Sequence, residues 1–139
     1  MKQVIALTLG LLAAAAGAQA AGPKLVFIDL STEQLMDHAT AKAILAEAIP
    51  ARVWKIYPAS KWGFASQVEG GFTQAKVCVV TARAMLAPLT LTKAMLLRPE
   101  KQATAFDALP NATAEQCRQL AKDKLREAIH GVVSSLVEN

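Results

Sequence analysis

Two cysteines and two histidines are the residues of this 139-residue chain with the most versatile chemistry. Cys78 and Cys117 are too far apart for the C-x-x-C motif of thiol–disulfide oxidoreductases, and the four residues together lack the spacing of a zinc site. We therefore expect neither a redox centre nor a metal ion, and no pattern in the sequence points to another cofactor.

The two histidines are the candidates for acid–base chemistry. His38 falls on the buried side of a predicted helix, which favours a hydrogen-bonded, partly buried side chain over a ligand. Its neighbour Asp37 is not expected to form a dyad with it, because consecutive helical side chains point about 100° apart. His130 ends a basic series that could recognise an anionic partner, although interspersed acidic residues favour a solvated flank. The members of that series are Arg118, Lys122, Arg126 and His130.

Signatures of known catalytic sites are absent from the sequence. It contains no G-x-S-x-G nucleophile elbow, no H-E-x-x-H zinc helix, no P-loop and no G-x-G-x-x-G loop. The 11 acidic residues lie chiefly at predicted helix flanks, turns and termini, where a facing pair for acid–base catalysis is not expected. We therefore expect a protein that is not an enzyme, with an enzyme of unfamiliar type that uses His38 or His130 as an alternative.

The stretch from Trp54 to Phe72 is the most suggestive binding surface, because it holds five of the seven aromatic residues. Exposed aromatic side chains form contact surfaces at low entropic cost, and a hairpin tip that contains glycine can project into the cleft of a partner. The candidate partner-binding residues are Trp54, Tyr57, Lys61, Glu69, Gly70 and Gly71. The alternative is a core role, which strand alternation favours for Trp62 and Phe64 and leaves open for the other aromatics.

Residues 1–20 have the layout of a secretory signal peptide. Lys2 provides the positive start, Val4–Ala16 is almost entirely apolar, and the small residues Ala18 and Ala20 suit signal peptidase. We predict cleavage after Ala20 and export to the periplasm or beyond it. An uncleaved anchor is the alternative, but the apolar stretch is shorter than the roughly 20 residues that span a bilayer. We therefore expect no stable membrane insertion once the leader is removed.

The remaining chain, residues 21–139, is long enough for a single domain and has only a weak positive charge. The net charge of the whole sequence is +4, and loss of the leader removes one base and no acid. Lysines and arginines are spread from Lys24 to Arg126 instead of forming a stripe. We therefore expect no nucleic acid partner.

Export would favour a disulfide between the two cysteines. In an oxidising compartment, two cysteines in a small domain form a disulfide more often than two thiols. A Cys78–Cys117 bond closes a loop of 39 residues, which the chain-entropy treatment values at about 4 kcal/mol of stability. We predict this bond and expect it to be structural.

The hydrophobic patterning predicts an α+β fold with an N-terminal helix, an antiparallel β-meander of about four to five strands, and a long C-terminal helix packed on one sheet face. A capping-box spacing at Ser31 and Gln34 predicts the first helix from there to Ala48. Glu69-Gly70-Gly71 is predicted as a hairpin loop. The predicted strands are 25–28, Arg52–Tyr57, Trp62–Val68, Phe72–Leu86, Leu91–Arg98 and Lys101–Phe106.

The last helix has the clearest pattern in the chain. Thr113 and Gln116 form a second capping box, and the helix is predicted over Ala114–Val137. On its wheel Cys117 lies in the apolar stripe, while period-two counting places Cys78 on the buried face of a strand. These positions predict that the helix packs on that strand.

The function predicted from these features is binding without catalysis. Export, small size, a disulfide-bonded scaffold and the missing catalytic motifs favour a periplasmic inhibitor or immunity-type factor whose partner is another envelope protein, an enzyme. The alternative is a carrier of a small apolar ligand, with a pocket between sheet and helices lined by Trp54, Met85 and Met95. The sequence leaves the oligomeric state open.

The signal peptide leads to a prediction about processing. Protein recovered from the periplasmic fraction should begin at Ala21 by intact-mass measurement. Ala20→Arg places a long charged side chain where the peptidase accepts small residues, so that variant should keep residues 1–20. Ala14→Leu, which preserves the apolar segment, serves as the control and should be processed normally. Recovery of the unaltered protein at full length would contradict the prediction.

Overall fold

The structure contains four strands and three helices within residues 24–137, the part of the chain that the computed structural model describes. In chain order the elements are β1 (Phe27–Asp29), α1 (His38–Ala48), α2 (Ala51–Ile56), β2 (Trp62–Phe72), β3 (Val77–Pro88), β4 (Lys101–Pro110) and α3 (Ala114–Val137). The predicted leader, residues 1–20, lies outside the described residues.

The four strands form one mixed sheet in the order β1-β2-β3-β4. β2, β3 and β4 make an antiparallel meander, whereas β1 runs parallel to β2. α3 packs against β3 and β4, and α1 packs against α3, which confirms the α+β fold with a long C-terminal helix on one sheet face. The parallel edge departs from the predicted antiparallel sheet. The parallel pairing is possible because α1 and α2 connect β1 to β2. They bring the chain back to the end of the sheet at which β1 begins, so β2 runs in the same direction as β1.

The first helix begins later than the capping-box spacing predicted. α1 starts at His38, and its N-cap is Asp37, whose carboxylate accepts hydrogen bonds from the N–H and the hydroxyl of Thr40 at 2.8 and 2.6 Å. These bonds, the hydroxyl first, lower the pKa of Asp37 below its usual value. Ser31 caps no helix, because residues 30–32 continue alongside β2 through backbone hydrogen bonds. Sheet pairing therefore overrides the local capping signal.

The segment Arg52–Tyr57 was predicted as an alternating strand and is helix α2 instead. Pro50 precedes its first residue, and the N–H of Tyr57 donates to the carbonyl of Val53 at 2.8 Å. Val53 is fully buried, while Trp54 and Tyr57 are partly buried. Six residues are too few for the apolar spacing to distinguish a strand from a short helix.

The turn between β2 and β3 is formed by residues 73–76 and not by Glu69-Gly70-Gly71, so the predicted hairpin loop is wrong. Lys76 adopts the left-handed conformation of the turn, with φ of 58°. The glycines continue β2 instead. Gly70 has φ of 134°, and a Cβ at this position would collide with the carbonyl oxygen of Val79. Glycine is needed here for close strand approach.

The predicted strand Leu91–Arg98 is a loop in the structure, and β4 extends beyond the predicted end at Phe106 to Pro110. A single bridge, between Leu89 and Met95, remains of the predicted strand pairing. Local hydrogen bonds explain the difference, because the Thr90 hydroxyl accepts from the backbone N–H four residues later at 3.1 Å and closes a turn.

The centre of the core is the contact between β3 and α3. The β3 residues that face the helix are fully buried: Cys78, Val80, Ala82, Ala84 and Leu86. α3 supplies a matching stripe that includes Cys117, Ala121, Leu125, Ala128 and Val132. The alanines let the helix approach the sheet closely, and a disulfide joins Cys78 to Cys117 with 5.7 Å between their Cα atoms. The predicted bond is therefore present.

The capping box predicted for α3 is also present. The N–H of Gln116 donates to the Thr113 hydroxyl at 3.1 Å, and the N–H of Thr113 donates to the Gln116 side-chain oxygen at 2.8 Å. The helix spans Ala114–Val137, as predicted. Neither α3 nor another helix in residues 24–137 combines the length and the apolar character needed to cross a bilayer.

Removal of the disulfide should lower the free energy of unfolding by about 4 kcal/mol, because the unfolded chain regains the entropy of the closed loop. The variant is Cys78→Ala/Cys117→Ala, and urea unfolding followed by circular dichroism measures the change. Addition of a reductant should destabilise the unaltered protein and leave the double variant unaffected. A loss below about 1 kcal/mol would show that the bond contributes little to stability.

Candidate functional site

Trp54 and Tyr57 lie in an aromatic cluster at the edge of the core. The Trp54 ring is 6.2 Å from Phe27 and 5.6 Å from Phe64, measured between ring centroids. Tyr57 meets Trp62 edge to face at 5.2 Å. Phe64 is fully buried, and the other four are partly buried against the core beneath the helices. Contacts within the protein therefore bury much of the surface of these aromatic rings.

The structure does not bring the six candidate partner-binding residues together on one surface. Lys61 is exposed in the turn that precedes β2, near the aromatic cluster, whereas Glu69 lies far along the strand. The strand between them spans about 26 Å at about 3.3 Å per residue. Gly70 and Gly71 pair with β3 beside Glu69. The candidate surface divides into two parts, and only the part at Glu69 belongs to a broad exposed area.

That area is the face of β2, β3 and β4 that points away from α1 and α3, which we call the open face. Its central row across the three strands consists of Glu69, Thr81 and Phe106. Residues of β3 alternate between buried and exposed, and the Phe106 side chain is 77% exposed. The exposed residues of the open face include Glu69, Val79, Thr81, Arg83, Gln102, Thr104, Phe106 and Ala108.

The open face combines an exposed aromatic ring with charges of both signs. The side-chain amide of Gln67 donates to the Glu69 carboxylate at 2.7 Å and orients it, and Arg83 lies in the next row. A small ligand would need a concave site, whereas a flat surface with an aromatic anchor and polar surroundings suits a protein partner.

A polar cluster around Asp29 joins β1 to β2 and α1. The Asp29 side chain has no exposed surface, and its Oδ1 accepts hydrogen bonds from the hydroxyls of Ser31 and Ser66 at 2.5 and 2.7 Å. Its Oδ2 lies 2.6 Å from Nδ1 of His38. The Ser31 oxygen accepts in turn from the N–H of Val68 at 2.8 Å. Each oxygen of the buried carboxylate is therefore satisfied.

The Asp29–His38 pair has the arrangement in which a carboxylate orients an imidazole for proton transfer. The His38 side chain is half exposed, and its Nε2 lies 3.9 Å from a Glu33 oxygen. Ser31 and Ser66 bind the carboxylate and not the imidazole, so they are not placed as nucleophiles for His38. These contacts favour a structural role, in which the cluster fixes α1 to the sheet edge.

Groups of three or more His, Cys, Asp or Glu that could hold a metal ion do not occur within residues 24–137. Two members of the basic series of α3 are paired with acidic residues of the same helix. Arg118 lies 2.8 Å from Glu115 and lowers the pKa of that carboxyl, chiefly through their hydrogen bond. Arg126 lies 3.6 Å from Asp123. These contacts favour the solvated-flank interpretation, and His130 is exposed at the end of the series.

Residues 89–100, which we call the leucine loop, form an exposed apolar feature. The Leu91 side chain is 101% exposed at the tip, and Leu97 is 82% exposed. The backbone of the tip is ordered by hydrogen bonds, because the N–H of Thr90 donates to the carbonyl of Ala94 at 2.8 Å. A strand was predicted here from the run of apolar residues. Its leucines show neither a strand nor a helix period, a signal that would have favoured a loop.

The predicted carrier pocket is wrong, because its residues lie on opposite sides of the sheet. Met85 pairs with Ala65 on the side of the open face, and the methyl group of Met95 packs over Gly63 on the same side. Trp54 packs on the helix side. The leucine loop folds back over this end of the open face, so the three residues cannot line one pocket.

Beside β1 lies a groove of about 480 Å³, which we call the lysine groove. It is lined by Lys24, Leu25, Val26, Phe27, Lys42 and Lys93. A lining of three lysines and three apolar residues favours a ligand that has both negative charge and an apolar part. The sequence pattern missed this site because its lysines come from three separate segments: the start of the described chain, α1 and the leucine loop.

No family model and no curated protein matches this chain. Among solved structures it is similar to the PelC dodecamer from Paraburkholderia phytofirmans, with a TM-score of 0.42 and 12% identity over 81% of this chain and 89% of that chain. A single-residue variant of that dodecamer gives a TM-score of 0.39 and 15% identity over 84% and 91%. A candidate lipoprotein from Caulobacter crescentus CB15 gives 0.32 and 8% over 80% and 92%. Likeness at this level carries no functional information.

The Asp29 cluster generates a prediction about stability. Asp29→Ala leaves the hydroxyls of Ser31 and Ser66 without their buried acceptor, so the free energy of unfolding should fall by about 2–3 kcal/mol. His38→Ala removes a half-exposed partner and should cost less than about 1 kcal/mol. Urea unfolding of both variants measures which of them loses more of the free energy of unfolding. A larger loss for the histidine variant would contradict the structural role assigned to the carboxylate.

Proposed function

We propose that this chain is an exported binding protein of the bacterial cell envelope, which docks a partner protein on the open face. The observation that carries the proposal is the exposure of Phe106, 77%, on a sheet face whose opposite side is packed beneath helices. Aromatic residues of this kind are frequent anchors of protein interfaces. The partner we propose is another envelope protein, and the role is that of an inhibitor or immunity-type factor.

Two independent features support export. The pattern of residues 1–20 is that of a cleavable secretory leader. The Cys78–Cys117 disulfide is buried within the core, and structural disulfides persist chiefly in oxidising compartments such as the periplasm. An alanine-rich leader with a single lysine favours a bacterial source, and therefore the periplasm over other compartments.

The chemistry of the open face supports a protein partner. Phe106 and the partly exposed Val79 provide apolar contact, while Glu69 and Arg83 carry opposite charges on the same face. Such a surface selects a partner through charge complementarity and gains affinity from burial of the ring. The partner should present an apolar pocket for Phe106 between a basic and an acidic patch.

Rigidity supports the inhibitor role. The open face consists of paired strands, and β3 is joined to α3 by the disulfide, so little conformational entropy is lost when the face is covered. A preformed surface of this kind can occlude the active site of an enzyme without a conformational change of its own.

Site-specific crosslinking in living cells tests the docking surface. A photoreactive amino acid at Thr104, on the open face, should crosslink to one envelope protein. The same amino acid at Gln119, which is exposed on α3, is the matched control and should give no such product. Equal crosslinking from both positions, or none from Thr104, would overturn the assignment of the surface.

The crosslinked protein, once purified, allows an affinity measurement. Phe106→Ala should weaken its binding at least tenfold and leave the melting temperature unchanged, because the ring is exposed in the free protein. Phe72→Ala is the control, since Phe72 is a half-exposed aromatic on the other side of the sheet. If the partner is an enzyme, the unaltered protein should inhibit it and the Phe106 variant should not. Unchanged affinity for the Phe106 variant would refute the proposed anchor.

A further inference from the structure

We propose that the leucine loop and the lysine groove together form a site that binds the surface of an anionic membrane. Leu91 and Leu97 enter the boundary of the acyl chains, and the lysines contact lipid phosphate groups. This site lies at the Gly63 end of the open face, away from Phe106, on which the proposed function rests. The chain would then attach reversibly to a bilayer while its sheet remains available to a protein partner.

Hydrogen bonds of the loop backbone hold its leucines in solvent. The N–H of Lys93 donates to the carbonyl of Thr90 at 3.0 Å, and Lys93 adopts φ of 65°, which closes the tip behind Leu91. At the base, the N–H of Leu89 donates to the carbonyl of Lys61 at 2.7 Å. The turn therefore holds Leu91 fully in solvent. An apolar side chain in this position contributes no hydrophobic stabilisation until a partner covers it.

The buried side of the loop explains why it keeps this shape. Leu89 and Met95 pack over Gly63, where a Cβ would lie 3.2 Å from Leu89 and 3.0 Å from Met95. The same Cβ would lie 2.9 Å from the carbonyl oxygen of Val26, so a larger residue at Gly63 would disturb both the loop and the segment that leads into β1. Leu89 and Met95 thus anchor the loop, whereas its other three leucines are exposed: Leu91, Leu96 and Leu97.

The charges next to the projecting leucines complement an anionic surface. Lys93 belongs both to the tip of the loop and to the lysine groove, which connects the apolar tip to Lys24 and Lys42. None of the six residues that line the groove is acidic, and the exposed Arg98 follows Leu97 directly. Among the ion pairs within residues 24–137, none involves these four cations. The Lys93 ammonium donates a hydrogen bond to the carbonyl of Ser60, so Lys24, Lys42 and Arg98 are the cations without a partner among these contacts.

The combination of two kinds of contact favours a membrane over a free anion. Apolar side chains at the lipid boundary and basic side chains at the phosphates are individually weak, and stable peripheral attachment normally takes both. A free phosphate would use the lysines and leave Leu91 and Leu97 in water. A bilayer surface has charged phosphates above apolar acyl chains, so it can contact the lysine groove and the loop tip at the same time.

The site lies at a different place on the sheet from the proposed protein interface. The leucine loop covers the open face at Gly63, whereas Phe106 lies in the row of Glu69. Glu69 lies six positions after Gly63 in β2, which corresponds to about 20 Å along the strand. Variants of one surface should therefore leave the other intact.

Vesicle sedimentation tests the proposal with the processed protein isolated from the periplasm. Vesicles of phosphatidylglycerol and phosphatidylcholine should bind it at least tenfold more tightly than vesicles of phosphatidylcholine alone, and added salt should weaken the binding. Leu91→Ser/Leu97→Ser should reduce binding at least tenfold, and Lys42→Glu/Arg98→Glu should abolish the preference for phosphatidylglycerol. Ile56→Ser, an exposed apolar residue of α2, is the matched control and should bind normally.

The possible outcomes separate this proposal from the proposed function. Phe106→Ala should bind vesicles as the unaltered protein does, even if it loses its protein partner. Because all the substituted side chains are exposed, unchanged circular dichroism and melting temperature verify folding of each variant. Absence of binding to phosphatidylglycerol vesicles, or equal binding by the leucine variant, would overturn the membrane site. Loss of the protein crosslink in the leucine variant, without vesicle binding, would assign the loop to the protein interface instead.

Discussion

The structure depends on the burial of one face of β3 beneath α3, fixed by the Cys78–Cys117 bond. β3 pairs with both β2 and β4 along its length, so its position sets that of the whole meander. Small side chains, such as Ala82 on the strand and Ala121 on the helix, allow close contact. The capping box at Thr113 begins α3 one turn before the disulfide, so the helix cannot shift along the sheet. The other elements attach to this unit.

Coverage of one side of the sheet has a direct consequence for function, because all three helices pack with the same core. The opposite face stays in solvent except at Gly63, where the leucine loop covers it. Two features then project from the uncovered side: Phe106 in the middle of the strands and Leu91 at the tip of the leucine loop. Both are apolar, both are held by ordered backbone, and each is accompanied by charged residues. If both proposed surfaces are used, the scaffold would hold a partner protein close to a membrane surface.

The reliability of the sequence patterns depended on the length of the segment. Ala114–Val137 is long enough for its apolar stripe and capping box to agree, and its bounds were predicted correctly. Arg52–Tyr57 is too short for its period to distinguish helix from strand, and it was assigned wrongly. Glu69-Gly70-Gly71 was predicted as a turn because glycine permits one, but at Gly70 it serves close pairing with β3. Of the candidate site, Glu69 and the glycines beside it belong to the part of the sheet that we propose for binding, whereas Trp54, Tyr57 and Lys61 lie elsewhere.

The sequence by itself determined the α+β class, the last helix and the disulfide, because each follows from periodicity, local capping or the number of cysteines. Only the tertiary structure decided which distant residues meet. It joined Asp29 to Ser66 and His38, and it placed Trp54 and Met95 on opposite sides of one sheet. The physical reason is that local patterns encode whether a side chain is buried. Which residues a buried side chain contacts is set by the strand register and by the direction in which the chain returns to the sheet.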